Sequence, residues 1–233
     1  GIAFTFAFTG CEADFASDNI QSDDPTIDGA DLLGDRHIGQ AGEPVVLVHG
    51  NAGYPSHWNR TISYLKSRGW SSSLIYTPNW GSKTCPACND HCGSELTAVK
   101  NALIAARNAS ATGKIDVMGH SMGATLAAYA IYSLGWGSNQ IRTFVGIAGG
   151  FRGLNSCTFS SYTSTCSTSC GLHYRSTILS RLRSKGRWAQ KQYAIFSYAD
   201  EVACIGGCYI YGVHTSKPYT CDGYKYKTTA PYG

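Results

Sequence analysis

Between Lys114 and Tyr129 the chain reads K-I-D-V-M-G-H-S-M-G-A-T-L-A-A-Y, an order of residues that few folds can use. Ile115 to Met118 have the composition of a short strand. Gly119, His120, Ser121, Met122 and Gly123 form a Gly-x-Ser-x-Gly pentapeptide, and an alanine-rich helical segment follows without a linker. A strand that turns directly into a helix brings two backbones into contact. The residues two before and two after the serine must then be small, and both are glycine. The same turn holds the serine hydroxyl out at the end of the strand, where a nucleophile belongs, so Ser121 is the candidate nucleophile. A glycine-rich strand-to-helix turn can also bind an anion, or nothing. The flanking strand and helix signals are the context the nucleophilic motif requires.

The rest of the chain alternates in a way that suits such a turn. Pro44 opens V-V-L-V (Val45 to Val48), a continuous apolar run expected of a strand buried on both faces of a parallel sheet. Ser56 to Arg68 places Trp58, Ile62 and Leu65 at helical spacing, and Ser73 to Tyr76 reads as a short strand. Ser94 to Asn108 is an amphipathic helix with Leu96, Val99, Leu103 and Ala106 on one side, ended by Gly113. Thr143 to Ile147 and Tyr193 to Tyr198 are further strands, with a short helix at Ile178 to Ser184. Strand and helix in alternation predict an α/β fold, with a mostly parallel central sheet and helices on both faces. At 233 residues, without a repeat or low-complexity linker, one domain is the expectation for 1–233. Residues 1–40 read as an extended segment, with Phe4, Phe6 and Phe8 alternating toward Cys11. Residues 151–190 read as an insertion that could form a lid or cap.

Composition narrows the class. The net charge of +4 is modest and only Arg175 to Arg187 forms a basic run, so a nucleic-acid surface is not expected. No apolar run approaches the roughly 20 residues that span a bilayer. Ten cysteines with few charges point to an oxidised, extracellular protein with disulfide-stapled loops. Local bridges are expected within 85–92, 157–170 and 204–221. Cys85, Cys88, His91 and Cys92 could be read as a zinc site, but zinc centres are normally assembled from two separated pairs, so a stapled loop is favoured and no metal or cofactor is expected. Gly1 is not a methionine and no secretory leader is visible, as in a mature chain. Asn59 and Asn108 lie in N-glycosylation sequons.

Further site residues follow from strand ends. The loop His49 to Gly53 follows the first strand; in hydrolases with this order it supplies one oxyanion N–H, and the residue after the nucleophile supplies the other, here Asn51 and Met122. His49 reads as a packing residue. Asp200, after the Tyr193 to Tyr198 strand, is placed for the acid of a Ser, Asp, His triad, with Glu201 as the alternative. Phe151 and Leu154, with Phe159 and Leu172, could line an acyl site; the other reading is a disulfide-bound surface loop, and the sequence does not separate them.

With these residues in hand, the chain resembles the class 2 lipases of the α/β-hydrolase superfamily, which include small secreted bacterial and nematode lipases and, more distantly, an extracellular poly(3-hydroxybutyrate) depolymerase. The resemblance runs from about Val45 to the end. It is carried by V-V-L-V-H-G-N (Val45 to Asn51), I-D-V-M-G-H-S-M-G (Ile115 to Gly123), T-F-V-G-I-A-G-G-F-R-G-L-N-S-C (Thr143 to Cys157) and the Asp200 segment. It implies an ester or lipid substrate, no cofactor, and a triad containing Ser121 and Asp200. The family's histidine follows a segment resembling Cys221 to Gly233, where this sequence stops, so a histidine is expected next in a longer precursor. Of the seven histidines only His214 follows Asp200, which makes it the base by chain order alone; the favoured reading is a loop histidine. The leading function is a secreted carboxylic ester hydrolase. Its alternatives are a disulfide-rich binding or structural protein on the same scaffold, without a complete triad, and a polyester depolymerase.

Overall fold

A computed structural model describes residues 42–159 and 163–228. The expected alternation at 4–8, Cys11 and the extended segment 1–40 lie outside the described residues. In chain order the elements are β1 (Val45–Val48), α1 (Asn59–Ser67), β2 (Ile75–Tyr76), α2 (Gly93–Ala109), β3 (Ile115–His120), α3 (Met122–Ser133), β4 (Ile141–Ile147), α4 (Thr177–Lys185), β5 (Lys191–Ser197), β6 (Tyr209–Ile210), β7 (Val213–His214) and β8 (Gly223–Lys227). Six strands form one sheet in the order β2-β1-β3-β4-β5-β8, every pair parallel. The small antiparallel β6–β7 hairpin was not foreseen from the sequence; its strands of two residues each are too short to show a period.

The continuous apolar runs are explained by the two covered faces. Val45, Leu47, Met118 and Val145 point to one side and pack with Trp58, Leu65 and Trp70. Val46, Val48, Val117 and Phe144 point to the other, against residues of α2, α3 and α4. Successive side chains of a strand face opposite ways, so a strand with a helix layer on each side is apolar at every position. The exception inside β3 is Asp116, fully buried, which accepts a hydrogen bond from Arg142 Nε at 2.8 Å as part of an ion pair across β3 and β4. α3 is buried from Met122 to Ile131, which its run of alanines and small residues permits.

The described disulfides correct one expectation. Cys85–Cys88, Cys157–Cys166 and Cys204–Cys208 are local, but Cys92 bonds Cys170 across 78 residues, joining the start of α2 to the segment before α4. Cys221 is also disulfide-bonded. The expected insertion 151–190 is corrected in its second half: α4 packs Ile178, Leu179 and Leu182 into the main core beside α3, and Arg181 Nη1 donates to Tyr129 Oη at 2.7 Å. Phe151 is corrected as well. It is fully buried in an aromatic cluster with Phe144 and Trp188, at centroid distances of 6.1 and 5.7 Å, and has no surface to offer a ligand. Gly146 and Gly149 make room for its ring, since a Cβ on either would lie within 2.6 Å of it.

Candidate active site

β3 ends, and α3 begins, at Ser121, whose backbone sits at φ 52°, ψ −133°. That conformation is costly for any residue with a Cβ and persists only where the surroundings impose it. They do so here on three sides. A Cβ on Gly119 would lie 2.5 Å from Ala124 Cα, and one on Gly123 would lie 2.0 Å from the His49 carbonyl oxygen, so both glycines are required for the helix to cross the strand ends. The Ser121 N–H donates to Ile147 O at 2.7 Å, which ties the turn to the end of β4. Two more non-glycine residues with positive φ, Ala52 and Ala148, follow β1 and β4. Backbone strain therefore clusters at the carboxyl edge of the sheet, where open α/β sheets bind ligands.

The loop after β1 runs beside the serine: a Cβ on Gly50 would be 3.2 Å from Ser121 Cβ. Gly50 also borders a cleft of about 270 Å³ lined by His57, Trp58, Thr61, His120 and Ile147. The backbone N–H of Asn51 makes no hydrogen bond within the described residues. Met122 opens α3, so its N–H has no partner inside the helix. Two unpaired donors thus flank the elbow. His49 is buried behind them, stacked on Trp80 at 5.2 Å, with Nδ1 donating to Gly50 O at 2.8 Å. Burial first, and the nearby Lys83 to a smaller extent, bring its pKa down to about 4, so its ring is neutral near pH 7.

Asp200 follows β5, half-buried, and its Oδ1 accepts from the N–H groups of Val202 and Ala203 at 2.9 and 2.7 Å. Those bonds cap the turn and leave Oδ2 unengaged. Burial holds the pKa values of His120 and His214 below the usual range, and the charge of Asp200 opposes this at both rings. His120 lies on the cleft with an edge open to solvent.

His214 is buried and stacked on Phe196 at 4.2 Å. Nε2 donates to Ser197 O at 3.2 Å and Nδ1 accepts from the Ser216 N–H at 3.1 Å, so both ring nitrogens are occupied by backbone. That arrangement corrects the reading of His214 as base by chain order, because neither ring nitrogen is left for Ser121 or Asp200. Among the described residues no histidine hydrogen-bonds to Ser121 or Asp200. Leu154 is partly buried against Leu172 near Gly150, Phe159 is exposed, and Glu201 is exposed.

Sequence reasoning read 85–92 as a stapled loop but missed that polar side chains of 82–92 turn inward. Asn89 and His91 are buried at 1 % and 0 %, which a polar, cysteine-rich segment does not announce. A signal was available in retrospect: a loop closed by Cys85–Cys88 and tied down by Cys92 can hold polar side chains inward, where they must find partners.

The fold is shared with several solved hydrolases. A thermophilic esterase of the planctomycete Thermogutta terrifontis, solved with propionate bound, aligns over 84 % of this chain and 76 % of its own at TM-score 0.53 and 12 % identity. A chain solved in work on the metagenome-derived lipolytic enzymes LipS and LipT gives TM-score 0.54 at 12 % identity over 83 % of this chain and 85 % of its own. Lipase B of Aspergillus fumigatus gives 0.53 at 17 %, over 79 % of this chain and 44 % of its own. At such identities these likenesses speak for the fold alone. The sequence model of the lipases of class 2 matches residues 42–230, four-fifths of the chain, and the chain belongs to that family.

Proposed function

We propose that the chain is a secreted carboxylic ester hydrolase in which Ser121 is the nucleophile. The observation that carries this is the strained Ser121 backbone between two glycines whose missing side chains the elbow requires. Ser121 Oγ attacks the ester carbonyl carbon, and the carbonyl oxygen takes up negative charge as the tetrahedral intermediate forms. The N–H groups of Asn51 and Met122 donate to that oxygen; each such donor is worth about 10²-fold or more in kcat. Collapse breaks the carbon–alkoxide bond, the alcohol leaves with a proton, and water hydrolyses the acyl-enzyme. The proton transfers need an imidazole that bridges Ser121 and a carboxylate, and Asp200, just beyond β5, is our candidate for that carboxylate. Secretion is supported by the disulfides, which persist in oxidising compartments; no helix among the described residues is long and apolar enough to cross a membrane.

The test is labelling with a fluorophosphonate together with hydrolysis of soluble p-nitrophenyl esters. The expected result is one label on Ser121, lost in Ser121→Ala along with hydrolysis. A folded wild-type chain that neither reacts nor hydrolyses any ester would instead be a binding protein on a hydrolase scaffold. Comparing soluble esters, triacylglycerol emulsions and polyester films assigns the substrate class.

A further inference from the structure

The stapled loop 82–92 reaches both residues read above as oxyanion donors. The carboxamide of buried Asn89 is fully engaged. Oδ1 accepts from the Ser82 N–H at 2.6 Å, and Nδ2 donates to Ser82 O at 2.8 Å and to Asn51 Oδ1 at 2.7 Å. The Ser82 N–H can only donate and Ser82 O can only accept, which fixes which way round the Asn89 amide lies. Asn51 is thereby fixed too: its Oδ1 faces Asn89, and its Nδ2 donates to Pro86 O at 3.0 Å. Thr165 Oγ1 lies 2.7 Å from both Pro86 O and Asn89 O, and Cys85–Cys88 closes the loop around them.

The other donor is reached from the same loop. His91 Nδ1 donates to Cys170 O at 2.8 Å, which leaves Nε2 of the neutral ring as an acceptor. Nε2 lies 2.7 Å from Thr125 Oγ1, and that hydroxyl is 2.9 Å from Met122 O. The first turn of α3 is therefore tied through Thr125 to the Cys92–Cys170 bridge.

We propose that Asn89 is a positioning residue for the oxyanion hole: by gripping the Asn51 side chain it fixes the direction of the Asn51 N–H. This rests on the hydrolase reading of Asn51. The need is physical, because Asn51 lies in a turn outside any helix or strand, with its N–H unpaired and Ala52 at φ 52° behind it. A free turn can rotate that N–H toward water, and a misplacement of about 1 Å is enough to cost on the order of 10²-fold.

A double-mutant cycle tests this, with kcat and KM measured on a soluble ester for wild type, Asn89→Ala, Asn51→Ala and the double variant. Asn51→Ala keeps the backbone N–H and removes the side chain's two bonds to the loop, from Asn89 Nδ2 and to Pro86 O. Each single variant is expected to lose about tenfold or more in kcat with KM within about twofold, because an oxyanion contact is made in the transition state. The double variant is expected to be no slower than the slower single, since both remove one restraint. Unchanged kcat in folded Asn89→Ala overturns the proposal, as do losses that multiply in the double variant. Where Asn89→Ala does not fold, Asn51→Ala leaves the loop's own bonds in place, and full kcat in that variant overturns the proposal equally. A wild-type chain inert to esters and fluorophosphonate would overturn the hydrolase reading, and this inference with it; an active wild type with an unaffected cycle overturns the inference alone.

Discussion

A methyl group on Gly123 would lie 2.0 Å from the carbonyl oxygen of His49 and 2.8 Å from that of Val48, so α3 touches the end of β1 through bare backbone. Both oxygens belong to the backbone at the end of β1, which cannot turn aside for α3. Gly123→Ala is therefore expected to cost about 3 kcal/mol or more, the upper range for overpacking, or to prevent folding. Denaturant titration checks this; a loss under 1 kcal/mol would mean that helix and strand do not meet in this way.

The strain at Ser121 makes an opposite prediction. A residue held in a sparsely populated backbone region costs about 1–3 kcal/mol, and glycine visits such regions freely. Ser121→Gly should stabilise the protein by about 1 kcal/mol after the entropy cost of glycine, whereas Ser121→Ala, which keeps the Cβ, should not. Both should abolish labelling. Equal stability of the two variants in guanidinium would count against the strained conformation.

Stability should fall on mild acidification. His49, His91 and His214 are buried, and burial, the leading cause in each, lowers their pKa values to about 4. In the unfolded chain each takes a proton near 6.5, the ordinary value for histidine. Between pH 6.5 and 4 the unfolded state then binds more protons, so the stabilisation present above pH 6.5 is lost as pH falls, at up to about 1.4 kcal/mol per pH unit for each histidine. Asp90, its pKa raised by burial, opposes this at the acid end. Unfolding free energies measured from pH 7.5 to 4.5 should decline; a flat profile would contradict the buried, neutral histidines.

The two disulfides at either end of loop 85–92 should differ in worth. Loop-closure entropy gives about 4.5 kcal/mol for the 78-residue span of Cys92–Cys170 and about 1.6 kcal/mol for the three-residue span of Cys85–Cys88. Paired Cys→Ala variants followed by thermal unfolding separate these values. Equal losses, or a greater loss for Cys85–Cys88, would show that the long bridge does not tie the α2 start to the segment before α4.

The local chemistry of the sequence fixes the parts of this protein that obey short-range rules. Glycines at 119 and 123 dictate an elbow at Ser121, because no other residue lets strand and helix pass. The unbroken Val45 to Val48 run dictates a strand covered on both faces. Asp200 falls after β5, as expected from a carboxylate directly beyond an apolar strand. Contacts between distant segments have no such rule. Nothing near Cys92 points to Cys170, and cysteine positions alone allow many pairings. Phe151 looks the same in sequence whether it lines an acyl site or fills the space left by Gly146 and Gly149; packing against Trp188 decided it. His214 lost its place in the proposed chemistry to Ser197 O and Ser216 N–H, and Asn89 gained one through Asn51. Those outcomes depend on which buried polar groups the fold brings within hydrogen-bond reach, a property of the closed structure and not of any segment in it.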